Sequence, residues 1–237
     1  MQRIDWDKKI LNVLPLYSVI PLAASLLFNF FTYFCTRPLT NLLPHYDISI
    51  GLDYKIPFIP AWMIIYVLAF PIWALGYIMI GREDRDTVFR IMTAELIAKF
   101  ICLIFFFAMP TAMPADLTVT HISGHGFIGF LSNIVYGADQ PNNLFPSIHC
   151  LESWMIFRAT FSCKRLFKSK TAVVSYQIFL FVAAILVFAS TVLVNQHLFL
   201  DIIGGIVVVE IGLIVSKKLR TGRIYHALMR KLEKHEE

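Results

Sequence analysis

The chain has 237 residues, 57% of them hydrophobic and only 16% charged, with a mean hydropathy of +0.67. A soluble domain carries about 25% charged and 45–50% apolar residues, which disfavours both a disordered protein and an ordinary soluble enzyme. The net charge of +5 raises the question of nucleic acid, which its distribution along the chain answers.

The apolar letters gather into runs of about 20 residues, long enough to cross a ~30 Å hydrocarbon core as helices. The first runs from about Asn12 to Cys35. The stretch before it, MQRIDWDKK, carries both signs of charge with no small-residue cleavage site after it, so a removable signal peptide is disfavoured. A polar, proline-bearing stretch follows, Arg37 to Pro60, and then a second segment from Ala61 to Ile80 that ends at the turn GREDRD. The third is Val88 to Met109. A long connection, Pro110 to Pro146, has four glycines and no Lys or Arg. Its stretch HISGHGFIGFLSNIVYG suits a short amphipathic piece at the interface, acting as a lid over a lipid entrance. His121 and His125 there are four apart if helical, but the glycines beside them argue for a loop, and no third metal ligand is in view. The fourth segment, from Ser147 to about Phe161, is short for a span. A basic loop, CKRLFKSK, leads to the fifth, Ala172 to Val194, and the sixth is His197 to Val215. The tail is basic and suits an anionic membrane surface. The fold expected is all-α, a six-transmembrane helical bundle forming one integral membrane domain over 1–237, with a core of 12–215 and a cytoplasmic tail of 216–237.

Six crossings put both termini on one side. Of the 21 Lys and Arg, 18 fall on that side; Arg37 and Lys55 fall opposite, and Lys99 lies within the third segment. The positive-inside rule makes both termini cytoplasmic. Topology and anionic lipid account for the charge, and no nucleic-acid partner is needed. The four cysteines, Cys35, Cys102, Cys150 and Cys163, have no CxxC spacing, so neither zinc nor a disulfide framework is expected.

Polar groups inside spans are costly and each needs a reason. Two clusters stand out on the non-cytoplasmic side: NNLFPSIH, residues 142–149, and STVLVNQHLFLD, residues 190–201. His197 and Asp201 are four apart, so they are expected on one helix face. A carboxylate there holds one imidazole nitrogen as N–H and leaves the other as a lone pair, which makes His197 a competent nucleophile. Gly204 and Gly205 allow close packing on the same helix. Pro146 and Ser147 open a helix whose free N–H groups favour an anion such as phosphate. His149, one turn in, is placed to protonate a leaving oxygen. The bland readings are a helix cap, an interface histidine and a structural ion pair.

Pro146-Ser147-Ile148-His149 resembles the second signature block of the type 2 phosphatidic acid phosphatase superfamily, and Ser190…His197…Asp201 resembles its third. The resemblance covers about residues 50–215. The strings STVLVNQHLFLDIIGG and DYKIPFIPAW look most like the subgroup near the inositol-phosphorylceramide synthases and their bacterial lipid-phosphatase relatives. The resemblance implies phosphoryl transfer without metal or cofactor. His197 would attack phosphorus and form a phosphohistidine, Asp201 would orient it, and His149 would protonate the leaving group. Ser147 and Ser190 would bind phosphate oxygens. Water or a second alcohol would then take the phosphoryl group. The partners implied are a lipid phosphate substrate and the bilayer, the location a bacterial plasma membrane with the site on its outer side.

The chain departs from the pattern in two places. The family's first block, Lys followed after six residues by Arg-Pro, is absent from KFICLIFFFAMPTAMPAD, and Thr191 stands where the third block usually has Arg. Lys99 either binds substrate phosphate or pairs with Glu95, four residues before it; Glu152 either tunes His149 or pairs with Lys99. Arg37 and Lys55 are the outer-side loop cations available to replace the missing charge. Glu210 reads as structural. The function expected is a lipid-phosphate phosphatase acting on a lipid phosphate or pyrophosphate. The alternatives are a head-group phosphotransferase and a catalytically impaired lipid-binding member of the family.

Overall fold

The computed structural model describes residues 6–10, 13–122, 126–224 and 227. Arg3, the start of the first expected segment at Asn12, His125, and Arg230, Lys231 and Lys234 of the tail lie outside the described residues.

A two-residue hairpin, β1 (Lys9–Ile10) with β2 (Leu14–Pro15), leads into α1 (Leu16–Phe30). This helix continues through a π segment, Phe31–Cys35, into α2 (Arg37–Thr40), giving one apolar rod over Leu16–Thr40. The long spans that follow are α3 (Met63–Gly81) and α4 (Arg85–Ala108). Asp84 starts α4 as its N-cap, its carboxylate accepting from Thr87 N at 3.0 Å and Thr87 Oγ1 at 2.9 Å. The connection carries α5 (Phe127–Ala138), and then come α6 (Ile148–Ala159), α7 (Lys170–Leu193) and α8 (Phe199–Lys218).

Among the described residues, five helical stretches are long and apolar enough to cross a membrane: Leu16–Thr40, Pro60–Gly81, Arg85–Ala108, Lys170–Leu193 and Phe199–Lys218. The expected fourth crossing does not reach that length. Its helix has 12 residues, about 18 Å of rise against a ~30 Å hydrocarbon core. It is enclosed instead, packed against α3, α4, α7 and α8. Mostly buried in this way, the short helix carries His149, Glu152, Ser153 and Arg158. The amphipathic piece expected at the interface is α5, which exposes Phe127, Phe130 and Ile134 and buries Gly129, Ser132 and Tyr136.

The bundle is apolar outside and selectively polar inside. Val174, Ile178, Phe181 and Ile185 of α7 are exposed, as are Ile203, Val207 and Ile214 of α8. A belt of this extent is costly in water and at home in lipid. The core centres on α4, with Ile91, Met92, Ala98 and Cys102 against Leu151, Met155 and Val209. Deep within it, Lys99 Nζ lies 2.5 Å from Glu95 Oε1, 2.8 Å from Glu152 Oε1 and 2.9 Å from Ser25 Oγ, while Tyr77 donates to Glu152. Lys99 therefore pairs with both carboxylates. Glu210 accepts a fork from Arg158, at 2.5 and 3.0 Å, and the Trp154 indole N–H at 2.8 Å.

The basic loops share one end of the bundle. Glu83 accepts the backbone N–H groups of Lys164 and Arg165 at 2.9 and 2.7 Å, tying the α3–α4 turn to the α6–α7 loop, and Tyr17 donates to the Glu83 carbonyl. His149 and His197 occupy the opposite end, at the start of α6 and just before α8.

Candidate active site

The two polar clusters meet because two helices start side by side. Ser147 caps α6, its Oγ accepting from Cys150 N at 3.3 Å. Its own N–H donates to the Asp201 carbonyl at 3.1 Å, joining the first cluster to the second. The approach of α8 to α6 is permitted by Gly205: a Cβ there would lie 2.7 Å from Ser147 O and 2.9 Å from Cys150 Cβ. Upstream, Thr111 Oγ1 accepts from Leu144 N and Phe145 N at 3.0 and 2.9 Å, which fixes the loop before the cis Phe145–Pro146 bond. Asn143 takes a left-handed φ of 54° and donates its amide to Thr40 Oγ1 at 2.8 Å.

In the second cluster the chain leaves α7 at Leu193 and folds back. Thr191 O accepts from Gln196 N at 2.9 Å and His197 N at 3.1 Å, with Asn195 at φ 51°. Asp53 Oδ1 accepts from Phe199 N at 2.7 Å and so holds the first turn of α8. His197 is not on that helix, which corrects the expectation of a shared helix face. It precedes the N-cap Leu198, and Asp201 sits at the third helical position. The Asp201 carboxylate reaches back to accept Leu198 N at 2.7 Å and faces His197 Nδ1 at 3.2 Å through the same oxygen. The capping contact fixes the carboxylate, and the carboxylate fixes the imidazole with Nδ1 as donor. Nε2 is left as the free lone pair.

His149 and His197 face each other with ring centroids 5.8 Å apart. Both line a cavity of about 240 Å³, shared with Asn29, Tyr33 and Phe34 from the first rod and with Tyr66, Phe70 and Trp73 from α3. Ile134 and Val135 of α5, then Asp139, Asn142, Asn143 and Leu144, close the rest. Phe34, Phe70 and Ile134 are 47%, 51% and 53% exposed, so the wall between α1, α3 and α5 faces outward. His149 is packed among aromatic rings, Tyr66 stacked at 4.3 Å, Trp73 at 5.3 Å and Phe70 at 5.7 Å.

Of the site residues expected from sequence, His149, His197 and Asp201 come together. Ser147 and Ser190 are fully buried and do not line the cavity. Ser147 Oγ is engaged at the helix cap, and Ser190 Oγ donates to Val187 O at 2.7 Å. Lys99 is in the core ion cluster, away from the cavity. Of the two cations offered as replacement charge, Lys55 is exposed on the surface. Arg37 sits at the cavity edge, stacked over the Tyr33 ring at 4.4 Å, with Nη2 3.4 Å from Asp139 Oδ1 and Nη1 3.2 Å from Ala138 O.

Tyr66 and Asp139 were not singled out by sequence. Tyr66 OH lies 2.9 Å from Asp139 Oδ2 and 3.4 Å from His149 Nδ1. Burial pushes the Asp139 carboxyl up to about 6, with His197 pulling it back down. The one sequence signal is that Asp139 is an acid three residues before Asn142, in a connection otherwise poor in charge. Among the described residues no three His, Cys, Asp or Glu side chains group as a metal site requires.

Neither the curated proteins nor the solved structures yield a match to this chain. One family model does match, described as the PAP2 superfamily, and it spans residues 53–215. That range holds α3 to α7 and α8 as far as Val215, and with them His149, His197 and Asp201, and it covers more than half of the sequence: the chain belongs to the PAP2 superfamily.

Proposed function

We propose that the protein is a lipid-phosphate phosphatase that hydrolyses a lipid phosphate or pyrophosphate through a phosphohistidine on His197, without a metal ion, at the non-cytoplasmic face of the membrane. Superfamily membership supports a phosphohydrolase-type enzyme. The observation that carries the reading is His197, held at Nδ1 by Asp201 and facing a second imidazole across a cavity walled on its outward side by exposed apolar residues. A headgroup reaches the two rings from that side while its chain stays against Phe34, Phe70 and Ile134. The outer-face assignment rests on the basic loops at the far end of the bundle.

In the first half-reaction the Nε2 lone pair of His197 attacks phosphorus. The P–O bond to the leaving group breaks, and the His149 imidazolium gives that oxygen its Nε2 proton. In the second, water attacks the phosphohistidine and loses a proton to His149 Nε2. The P–N bond breaks and its electron pair returns to His197. Alcohol and inorganic phosphate leave, and both imidazoles regain their starting states. The first N–H groups of α6 lie outside the helix ladder and supply anion-binding donors beside the histidines. Asp201 orients His197 and stabilises charge on it.

The test is phosphate release by the detergent-purified protein in EDTA from phosphatidate, lysophosphatidate and a prenyl pyrophosphate. The expected result is release that survives the chelator and disappears in His197→Ala. Release that requires added divalent metal, or that persists in the variant, overturns the reading.

A specific observation favours phosphotransfer to an alcohol as the second reading. Asn142 and Asn143 donate their amide N–H groups to Asn41 and Thr40, leaving both Oδ1 atoms buried without a partner among the described residues, as is Asn29 Oδ1. Three acceptors lining one cavity suit the O–H groups of an acceptor alcohol. Transfer to an added polyol in excess of hydrolysis would establish that reading.

A further inference from the structure

From His149 Nδ1 a chain of polar contacts runs to a residue that precedes the matched family range. His149 Nδ1 is 3.4 Å from Tyr66 OH, Tyr66 OH is 2.9 Å from Asp139 Oδ2, and Asp139 Oδ1 is 3.4 Å from Arg37 Nη2. Tyr66 is 1% exposed, and the side chains of Arg37 and Asp139 keep 12% and 19% of their area accessible.

We propose that Arg37, Asp139 and Tyr66 form a positioning chain that fixes His149 as the Nδ1–H form and thereby makes its Nε2 the atom that exchanges protons with substrate. This rests on the phosphatase reading and deepens it. The argument is one of donor supply. An ionised carboxylate only accepts. With its carboxyl near 6, Asp139 is ionised at neutral pH, so it takes the single phenolic proton of Tyr66. The phenolic oxygen is then left as an acceptor, and the group it accepts from is His149 Nδ1–H. The tautomer is set by the bond at the other nitrogen. His149 Nε2 is buried and has no hydrogen-bond partner among the described residues, while the ring lines the cavity opposite His197.

Arg37 gives the chain its far anchor. Its guanidinium holds Asp139 Oδ1 and the Ala138 carbonyl together, with the plane stacked on Tyr33, so Oδ2 is the oxygen presented to Tyr66. Without the negative charge of Asp139, Tyr66 is free to turn its proton toward His149 Nδ1. The imidazole then carries its proton on Nε2 while neutral, a form that neither donates readily nor accepts from water. Arg37, Asp139 and Tyr66 touch neither substrate nor phosphorus in this scheme; they act through His149.

The chain predicts a loss that depends on the leaving group, which a purely structural tie between α2, α3 and α5 does not. An alkoxide leaving from phosphatidate needs a proton, whereas nitrophenolate leaving from p-nitrophenyl phosphate does not. The experiment measures leaving-group release in a single turnover by the full chain in detergent, for wild type, Asp139→Asn, Tyr66→Phe and His149→Asn. Expected is a fall of roughly 10- to 100-fold with phosphatidate in the first two variants, less than the ~10²–10⁴-fold that general acid catalysis supplies in full. With nitrophenyl phosphate the rate stays within about threefold, and His149→Asn shows the same split more strongly. Equal losses on both esters, or none on either, in Asp139→Asn and Tyr66→Phe overturn the chain while leaving the phosphatase reading intact. Absence of release by wild type from both esters overturns that reading and the chain with it. An independent readout needs no turnover: [¹⁵N]histidine NMR, assigned by the signal lost in His149→Asn. Recorded at a pH high enough to deprotonate the imidazolium, it should give the Nδ1–H tautomer in wild type and a shift toward Nε2–H in Asp139→Asn. An Nε2–H form in wild type overturns the chain whatever the rates.

Discussion

Replacing Gly205 with alanine tests whether the site depends on how closely two helices start. The added Cβ would lie 2.7 Å from the Ser147 carbonyl oxygen, 2.9 Å from Cys150 Cβ and 3.1 Å from Leu151 N. Two of these three atoms are backbone, so no side-chain rotation relieves the overlap. Restoring an ordinary contact of about 3.5 Å requires α8 and α6 to part by roughly 0.8 Å. Overpacking of this kind costs about 1–3 kcal/mol, and the gain in helix propensity from Gly to Ala returns up to about 1 kcal/mol. The net loss of stability is therefore modest. The loss of rate is not: a misplacement near 1 Å costs on the order of 10²-fold, and this one separates His149 from His197 and strains the Ser147 N–H contact to Asp201 O. Expected are a 10- to 100-fold lower kcat for phosphate release and a small drop in the detergent melting temperature. Gly204→Ala should be milder, because its Cβ meets the Phe145 ring, which can turn. Gly51→Ala, with nothing within 4 Å, should be silent. A Gly205→Ala enzyme with kcat within twofold of wild type would refute the reasoning.

Two further outcomes concern buried charge. Asp139 has its folded value raised from the ordinary 3.8 to about 6. The protonated form is thus favoured on folding, and the stability this lends is present below about pH 4 and lost as pH rises through 6. Asp139→Asn should melt close to wild type at pH 4 and be more stable at pH 8, by up to about 3 kcal/mol. A gap that does not change with pH contradicts the assignment. Lys99→Met removes the one cation between Glu95 and Glu152 and should cost about 3–5 kcal/mol of stability. KM for a lipid phosphate should stay unchanged in the fraction that folds, because Lys99 does not line the cavity; a selective rise in KM would restore it to the substrate site.

What the sequence reveals divides along local and non-local lines. The long helices announce themselves through apolar runs, and their ends fall within a few residues of the expected ones because Asp84, Ser147 and the GREDRD turn are local signals. His197 and Asp201 are legible through their four-residue spacing and a family block, and His149 through the PSIH block at a helix start. The local detail was less so: His197 precedes its helix, since Asp53, far away in sequence, caps the first turn and lets Asp201 reach back. Segment four looked like a short span because hydropathy cannot tell an enclosed helix from a lipid-facing one. Lys99 carried an ambiguous signal, as pairing with Glu95 at four residues was visible while the second partner, Glu152, was only one of two options. The chain behind His149 was invisible because its members are separated by 73 residues, between Tyr66 and Asp139, and by 102, between Arg37 and Asp139. The π segment that precedes Arg37 has no compositional mark in FTYFC.

The central claim is that phosphorus is transferred to His197. The most direct measurement is to mix the purified protein with a ³²P-labelled lipid phosphate in EDTA, quench within milliseconds in alkali and map the label by mass spectrometry. The account predicts an alkali-stable, acid-labile phosphoramidate on His197 that is absent from His197→Ala. Phosphate release at the wild-type rate with no labelled histidine, or label on another residue, would contradict it.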